Sequence, residues 1–183
     1  MKILVGGIVA VLLLVGCAFL GGMAEREKMY GKEVPVITEC FAPKQVSLGE
    51  NWLVYINASD PDGDMSQFVC SIDQPFSPRL AVLFKSTPPD TPHHVAHTKI
   101  GKDQQKNLSG YLVLGTNVDH PINLTLTLQI NDKAGHFSAP VTYLLHIVDP
   151  RNRKEIDQEA PPRGIFQEKN LGLINISLSA DFG

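Results

Sequence analysis

From residue 122 to residue 130 the chain alternates without a break: Ile122, Leu124, Leu126, Leu128 and Ile130 take turns with Asn123, Thr125, Thr127 and Gln129. Successive side chains of an extended strand point to opposite faces, so this segment has one apolar face for a core and one polar face for water. Trp52, Val54, Ile56 and Ala58 alternate in the same way with Leu53, Tyr55 and Asn57, and Val141, Tyr143, Leu145 and Ile147 share one side of 141–148. Residues 68–72, 80–85, 95–100 and 111–114 are shorter candidates, with turn signals between them. No stretch carries a 3.6-residue helical period, and Pro75, Pro78, Pro88, Pro89 and Pro92 exclude a helix through the middle. Many short alternating strands at this spacing predict an all-β, antiparallel sandwich or barrel of about seven strands over residues 38–149.

The N-terminus sets the compartment. Residues 3–24 contain no charge, Lys2 precedes them, and Glu25-Arg26-Glu27-Lys28 follows. A positive residue before an apolar run begins a secretory signal or a signal anchor. Leu14-Val15-Gly16-Cys17 resembles the bacterial lipobox. That resemblance implies cleavage before Cys17 and lipidation of its thiol, and two or more acyl chains anchor stably where one does not. Alternatively, a run of about 22 residues spans roughly 30 Å of hydrocarbon as an uncleaved helix. Both outcomes place the folded part in the cell envelope, outside the cytoplasm. Residues 25–37 then read as a tether and 150–164, charged and Pro-rich, as a linker. Residues 165–183 read as a β-prone tail whose apolar Leu171, Leu173, Ile174, Ile176 and Leu178 suit a strand edge, its own or a partner's.

Val46-Ser47-Leu48-Gly49-Glu50, an alternating strand, and then Ala58-Ser59-Asp60-Pro61-Asp62-Gly63-Asp64 resemble the opening of bacterial immunoglobulin-like domains of the PKD and cadherin-like type. Leu128-Gln129-Ile130-Asn131-Asp132-Lys133-Ala134-Gly135 and Ser138-Ala139-Pro140-Val141-Thr142 resemble their closing hairpin. The resemblance implies a single immunoglobulin-like sandwich. It leaves function open, because such domains serve as spacers, adhesins and assembly modules. The Trp of PKD domains after the DPDGD segment is missing, and Cys70 lies in that region.

Asp60, Asp62 and Asp64 at every second position imitate the first ligands of an EF-hand, but Met65 stands where its Gly belongs and Ser71 where its Glu belongs. An EF-hand is excluded. A Ca²⁺ site completed by Asp132 stays open beside a plain polar turn, in which Pro61 presets φ and Gly63 allows φ > 0. His93 and His97 share one face of a strand and His94 the other; four residues span about 13 Å, too far for one metal ion without a bend. With Cys17 lipidated, Cys40 and Cys70 are left to pair in an oxidising compartment, which would stabilise the fold by about 3–4 kcal/mol; two buried free thiols are the alternative. The sequons at Asn57, Asn107, Asn123 and Asn175 suit the polar faces of strands.

A formal charge of −3 with scattered basic residues offers nothing to nucleic acid. No GxSxG, phosphate loop or GxGxxG occurs, so no catalytic residues are assigned and no enzyme is expected. The expectation is a membrane-anchored structural or interaction protein with another envelope protein as partner and no cofactor. A Ca²⁺-dependent ligand-binding or adhesion module is the alternative.

Overall fold

The computed structural model describes residues 22–73, 93–152 and 160–177. Residues 22–30 are helical, and nine strands follow. They are β1 (Val36–Phe41), β2 (Gln45–Ser47), β3 (Asn51–Ser59), β4 (Met65–Asp73), β5 (His93–Lys99), β6 (Asn107–Asn117), β7 (Ile122–Asp132), β8 (Val141–Val148) and β9 (Asn170–Ser177). The expected strand at 80–85, Cys17 and Leu178 lie outside the described residues.

The strands form two sheets. Sheet A has the order β1-β3-β6-β9, and sheet B the order β2-β8-β7-β4-β5. The alternation places Trp52, Val54, Ile56 and Ala58 of β3, and Leu124, Leu126, Leu128 and Ile130 of β7, in the core between the sheets. Phe68, Cys70 and Ile72 of β4, Leu112 and Leu114 of β6, and Leu145 and Ile147 of β8 join them. The Trp52 indole N–H is not left unpaired; it donates to the Pro43 carbonyl at 2.8 Å.

Chain order and strand order together give the immunoglobulin-like class. β1, β3 and β6 take the places of strands A, B and E, while β8, β7 and β4 take those of G, F and C. The all-β sandwich expected from the alternation is the fold observed. Two pairings depart from the antiparallel pattern. The chain breaks at Pro43 and crosses from sheet A to sheet B, so β2 runs parallel to β8. The C-terminal β9 runs parallel to β6, in the place beside strand E where strand D sits in an ordinary sandwich.

Two glycines make room for β9. A Cβ on Gly110 of β6 would run into the Lys169 carbonyl and the Leu171 side chain, so Leu171 fills the space that Gly110 leaves. A Cβ on Gly172 would meet the Thr98 methyl on β5, across the sandwich. Leu171 and Ile174 are buried members of the core.

Candidate functional site

The loops between β3 and β4 and between β7 and β8 meet at one end of the sandwich, where Asp60, Asp64 and Asp132 are all buried. Each carboxylate is engaged by backbone N–H groups. Asp60 accepts from the N–H of Asp62 at 3.0 Å and of Asp64 at 3.3 Å. Asp64 accepts from Lys133 at 3.1 Å and Ala134 at 3.3 Å, joining the two loops. Asp132 accepts from Gly135 at 2.6 Å and His136 at 2.7 Å. Asp62 turns the other way and accepts from the Glu33 N–H at 2.8 Å. Of the four residues expected as Ca²⁺ ligands, three therefore gather and Asp62 does not. Among the described residues, no group of three or more His, Cys, Asp or Glu side chains is arranged to hold a metal ion. The charge crowding has a consequence nonetheless. Burial first, then the Asp60 carboxyl and the Asp132 charge, push the Asp64 carboxyl up to about 6, against the pull of the Lys133 N–H.

Helix 22–30 is fastened to this end. His136 sits between two carboxylates, with Nδ1 2.9 Å from Asp132 Oδ2 and Nε2 3.4 Å from Glu27 Oε1. A neutral imidazole has one N–H and can donate to only one of them; the imidazolium donates to both. The bond to Asp132 first, and Glu27 after it, raise the His136 pKa above its ordinary value, while burial opposes. Lys133 Nζ lies 5.8 Å from the centre of the Tyr30 ring and 2.8 Å from Gln105 Oε1. The helix ends at Gly31, whose φ of +115° only glycine adopts freely and whose Cβ would strike the Asp62 carboxylate. Residues expected to be a plain tether thus include a helix docked by its polar side chains. Most of the helix is exposed, so no apolar periodicity announced it.

Cys40 and Cys70 are free thiols, so the expected cross-link is not formed in this structure. Cys70 is fully buried on β4, and burial pushes its thiol up to about 12. Burial also raises Cys40, whose thiol is hydrogen-bonded to the Tyr143 side chain. On β5, His94 is half-buried and His97 exposed, on opposite faces as strand alternation requires. The side chains of His93, Ile176 and Leu178 lie outside the described residues. Asn57 bonds Glu39 and the Ile165 carbonyl, each at 3.0 Å, and Asn123 bonds His146 at 2.7 Å.

The outer faces of the two sheets differ. On sheet B, Val69, Val95 and Leu144 stand among Gln67, Ser71, Thr125, Thr127, Gln129 and Thr142, and every strand partner of the three is polar. Sheet A instead carries two apolar rows. Register places Phe41, Tyr55 and Tyr111 side by side across β1, β3 and β6, and Leu53, Val113 and Leu173 side by side across β3, β6 and β9. Tyr55 lies with its ring centre 5.7 Å from Tyr111 and 6.3 Å from Phe41.

The chain itself uses part of this face. Residues 165–169 cross β3 and β6 on the way to β9, and Phe166 settles 5.7 Å from the Tyr55 ring. The Gln167 N–H donates to Ser109 Oγ at 3.0 Å, the Tyr111 N–H to the Lys169 carbonyl at 2.9 Å, and Lys169 pairs with Asp103. The Leu53–Val113–Leu173 row stays uncovered by this strap, and Leu173 is 57% exposed. Sequence pattern identified the apolar tail. It did not reveal these rows, since they form only once distant strands are set in register.

The fold and these surfaces define an immunoglobulin-like β-sandwich with a strapped C-terminal strand. No protein-family profile matches the chain, and no curated protein matches it. Among solved structures it is similar to the PKD domain of an M14-like peptidase from a Thermoplasmatales archaeon, with 11% identity and a TM-score of 0.32 over 64% of this chain and 98% of that one. It is also similar to the CARDB domain of a Pyrococcus furiosus protein solved in complex with di-metal ions, with 8% identity and a TM-score of 0.32 over 63% of this chain and 89% of that one. Likenesses of this size carry nothing about function, and the strand order defines the class by itself.

Proposed function

We propose that this chain is a membrane-anchored interaction module of a cell envelope, a subunit or accessory of a larger assembly, with its sandwich outside the cytoplasm. The observation that supports this most is the contrast between the outer faces. Sheet B is polar throughout its cross-strand neighbourhoods, whereas sheet A aligns apolar side chains in rows, and contiguous apolar surface of that kind marks a place where another protein sits. The uncharged run at 3–24 and the Cys17 motif supply the anchor. Among the described residues, no helix is long and apolar enough to cross a membrane, and the run itself lies almost wholly outside them. The polar clamp on helix 22–30 ties the chain just after that run to the carboxylate end of the sandwich. Sheet A would then be held at a defined angle to the membrane.

Two measurements test this. Intact mass of protein extracted from its native membrane reports the anchor: acyl chains on Cys17, or a retained N-terminus, support it, and a released chain starting near Ala24 overturns it. A photo-crosslinking residue in place of Val113 should give covalent protein adducts in the native membrane, and one in place of Thr127 on sheet B should not. Adducts from Thr127 alone would remove sheet A from the account.

A further inference from the structure

Where β6 begins, β9 has not yet joined it: the first residue pair of the two strands is Tyr111 with Asn170. The Asp60 N–H donates to the Lys106 carbonyl, and the Tyr111 N–H to the Lys169 carbonyl, which fixes the direction of the peptide groups between them. The even-numbered residues of β6 bond β3. The N–H and C=O of Asn107 and Ser109 therefore point the other way, toward the flank that β9 leaves open. A cavity of about 230 Å³ sits at this place, bounded by the 3-10 turn Lys102–Gln104, the start of β6, and Gln167 and Lys169 of the strap. One of its lining residues, Gln104, is only 8% exposed. Its backbone N–H donates to the Gly101 carbonyl at 2.9 Å, but among the described residues no group pairs with its side-chain amide. A buried amide without a partner costs stability, so its presence here asks for a ligand to complete it. The amides of Asn107 and Gln167 and the Ser109 hydroxyl, which accepts from the Gln167 N–H, add to the polar lining.

We propose that this cavity binds one neutral sugar ring. The lining sets amide carbonyls, amide N–H groups and peptide groups side by side, and a sugar hydroxyl is donor and acceptor at once. The charges at the rim cancel: Lys169 Nζ lies 2.6 Å from Asp103 Oδ2, and a charged ligand would have to break that pair. Cavities for drug-sized ligands run to about 300–1,000 Å³, so this smaller one suits a single ring. Leu108 supplies an apolar patch for the C–H face of that ring. An extended peptide would also use open strand-edge groups. It does not fit here, because Lys169 and Asn170 already occupy the edge from Tyr111 onward. The site is separate from the apolar row on sheet A, since Ser109 and Val113 stand about 13 Å apart along β6. It needs neither a metal ion nor the membrane anchor.

Saturation-transfer NMR tests this on the full chain in a sugar-free zwitterionic detergent. The probes are glucose, galactose, mannose and N-acetylglucosamine, with glucuronate as the charged comparison. At least one neutral sugar should receive saturation from the protein, and more strongly than glucuronate. Asn107 and Gln167 are exposed, so Asn107→Ala and Gln167→Ala should melt within a few degrees of the parent. Each should weaken binding about tenfold, the scale of one lost hydrogen bond. Gln104→Leu fills much the same space without a donor or an acceptor. It should abolish the signal while holding or raising the melting temperature, because no buried amide is then left unpaired. Thr127→Ala on sheet B should change nothing. No transfer to any of the neutral sugars, a stronger response to glucuronate, or binding that survives both Asn107→Ala and Gln167→Ala overturns the proposal. Should Gln104→Leu fail to fold, the two exposed variants decide alone.

Discussion

Asp64 is a carboxyl crowded by other carboxyls in a buried loop. It is 5% exposed, shares its neighbourhood with Asp60 and Asp132, and has its carboxyl pushed up to about 6. A carboxyl whose folded pKa lies above its unfolded value binds more protons in the native state between the two values. Stability therefore falls as pH rises from about 4 to about 6 and stays low above that. Asp64→Asn keeps an oxygen to accept from Lys133 and Ala134 and removes the charge. It should raise stability at pH 7.5 by roughly 1–2 kcal/mol, since one pKa unit is worth about 1.4. It should also flatten the pH dependence across that window; equilibrium urea unfolding at pH 4.5 and 7.5 reads both. Equal stability of parent and variant at pH 7.5 would mean that the loop N–H groups already neutralise the charge. Cys70 gives a simpler check: with its thiol pushed up to about 12, it holds almost no thiolate at neutral pH, so alkylation should proceed only at the rate of unfolding.

Among the elements, helix 22–30 and β9 are both attached at their margins, and their attachments differ in kind. The helix is held by ionic contacts at His136, which faces Asp132 and Glu27, with Arg26 and Lys133 as the nearby cations and Asp64 behind the loop. Because the His136 pKa is raised, its contribution is complete below the unfolded value near 6.5 and fades as pH climbs through the folded value. Hydrogen exchange of residues 22–30, corrected for intrinsic rates, should quicken severalfold between pH 6 and pH 8.5, and His136→Ala should be quick at both. β9 is held by shape. Gly110→Val would drive a side chain into the Lys169 carbonyl and Leu171, at a cost of about 1–3 kcal/mol as overpacking. Proteolysis within residues 160–177 should accelerate in that variant while β3 and β7 stay protected. This difference in attachment also decides what could be read from the chain in advance. β3, β7 and β8 were legible because burial of one face imposes alternation on consecutive residues. The tail 171–179 was legible as β-prone but not as parallel, because the parallel fit depends on Gly110, some sixty positions away. β2 was too short to carry a pattern, and the helix buries too little apolar surface to have one. The Asp60–Asp64 segment bends as Pro61 and Gly63 allow, and its position against Asp132 brings three of the four marked carboxylates together. What spacing could not show was their orientation toward backbone N–H groups.

At the scale of the molecule, β9 closes the sandwich. Without it, β6 would be an open edge, and the side of the core lined by Gly110, Leu112 and Thr98 would be exposed to water. Residues 165–177 therefore belong to the folding unit although they follow a charged, Pro-rich stretch. Leu171 is 8% exposed and Ile174 3%. Each large aliphatic side chain so buried is worth about 1.5–3 kcal/mol. Removing everything after residue 164 should then cost roughly 3–6 kcal/mol, before counting the loss of Phe166 from the Tyr55 ring. Domains of this size are stable by only about 5–15 kcal/mol, so the truncated chain should be marginal. Denaturant unfolding followed by Trp52 fluorescence measures this directly, because Trp52 lies in the core beside β6 and far from the cut. The expected result is a single transition with a much lower midpoint. Its slope should be shallower as well, since the shortened chain buries less surface to expose. An unchanged midpoint would show that β9 folds onto the sandwich as an independent appendage. The strand would then be free to leave its own sheet and add to a partner's edge.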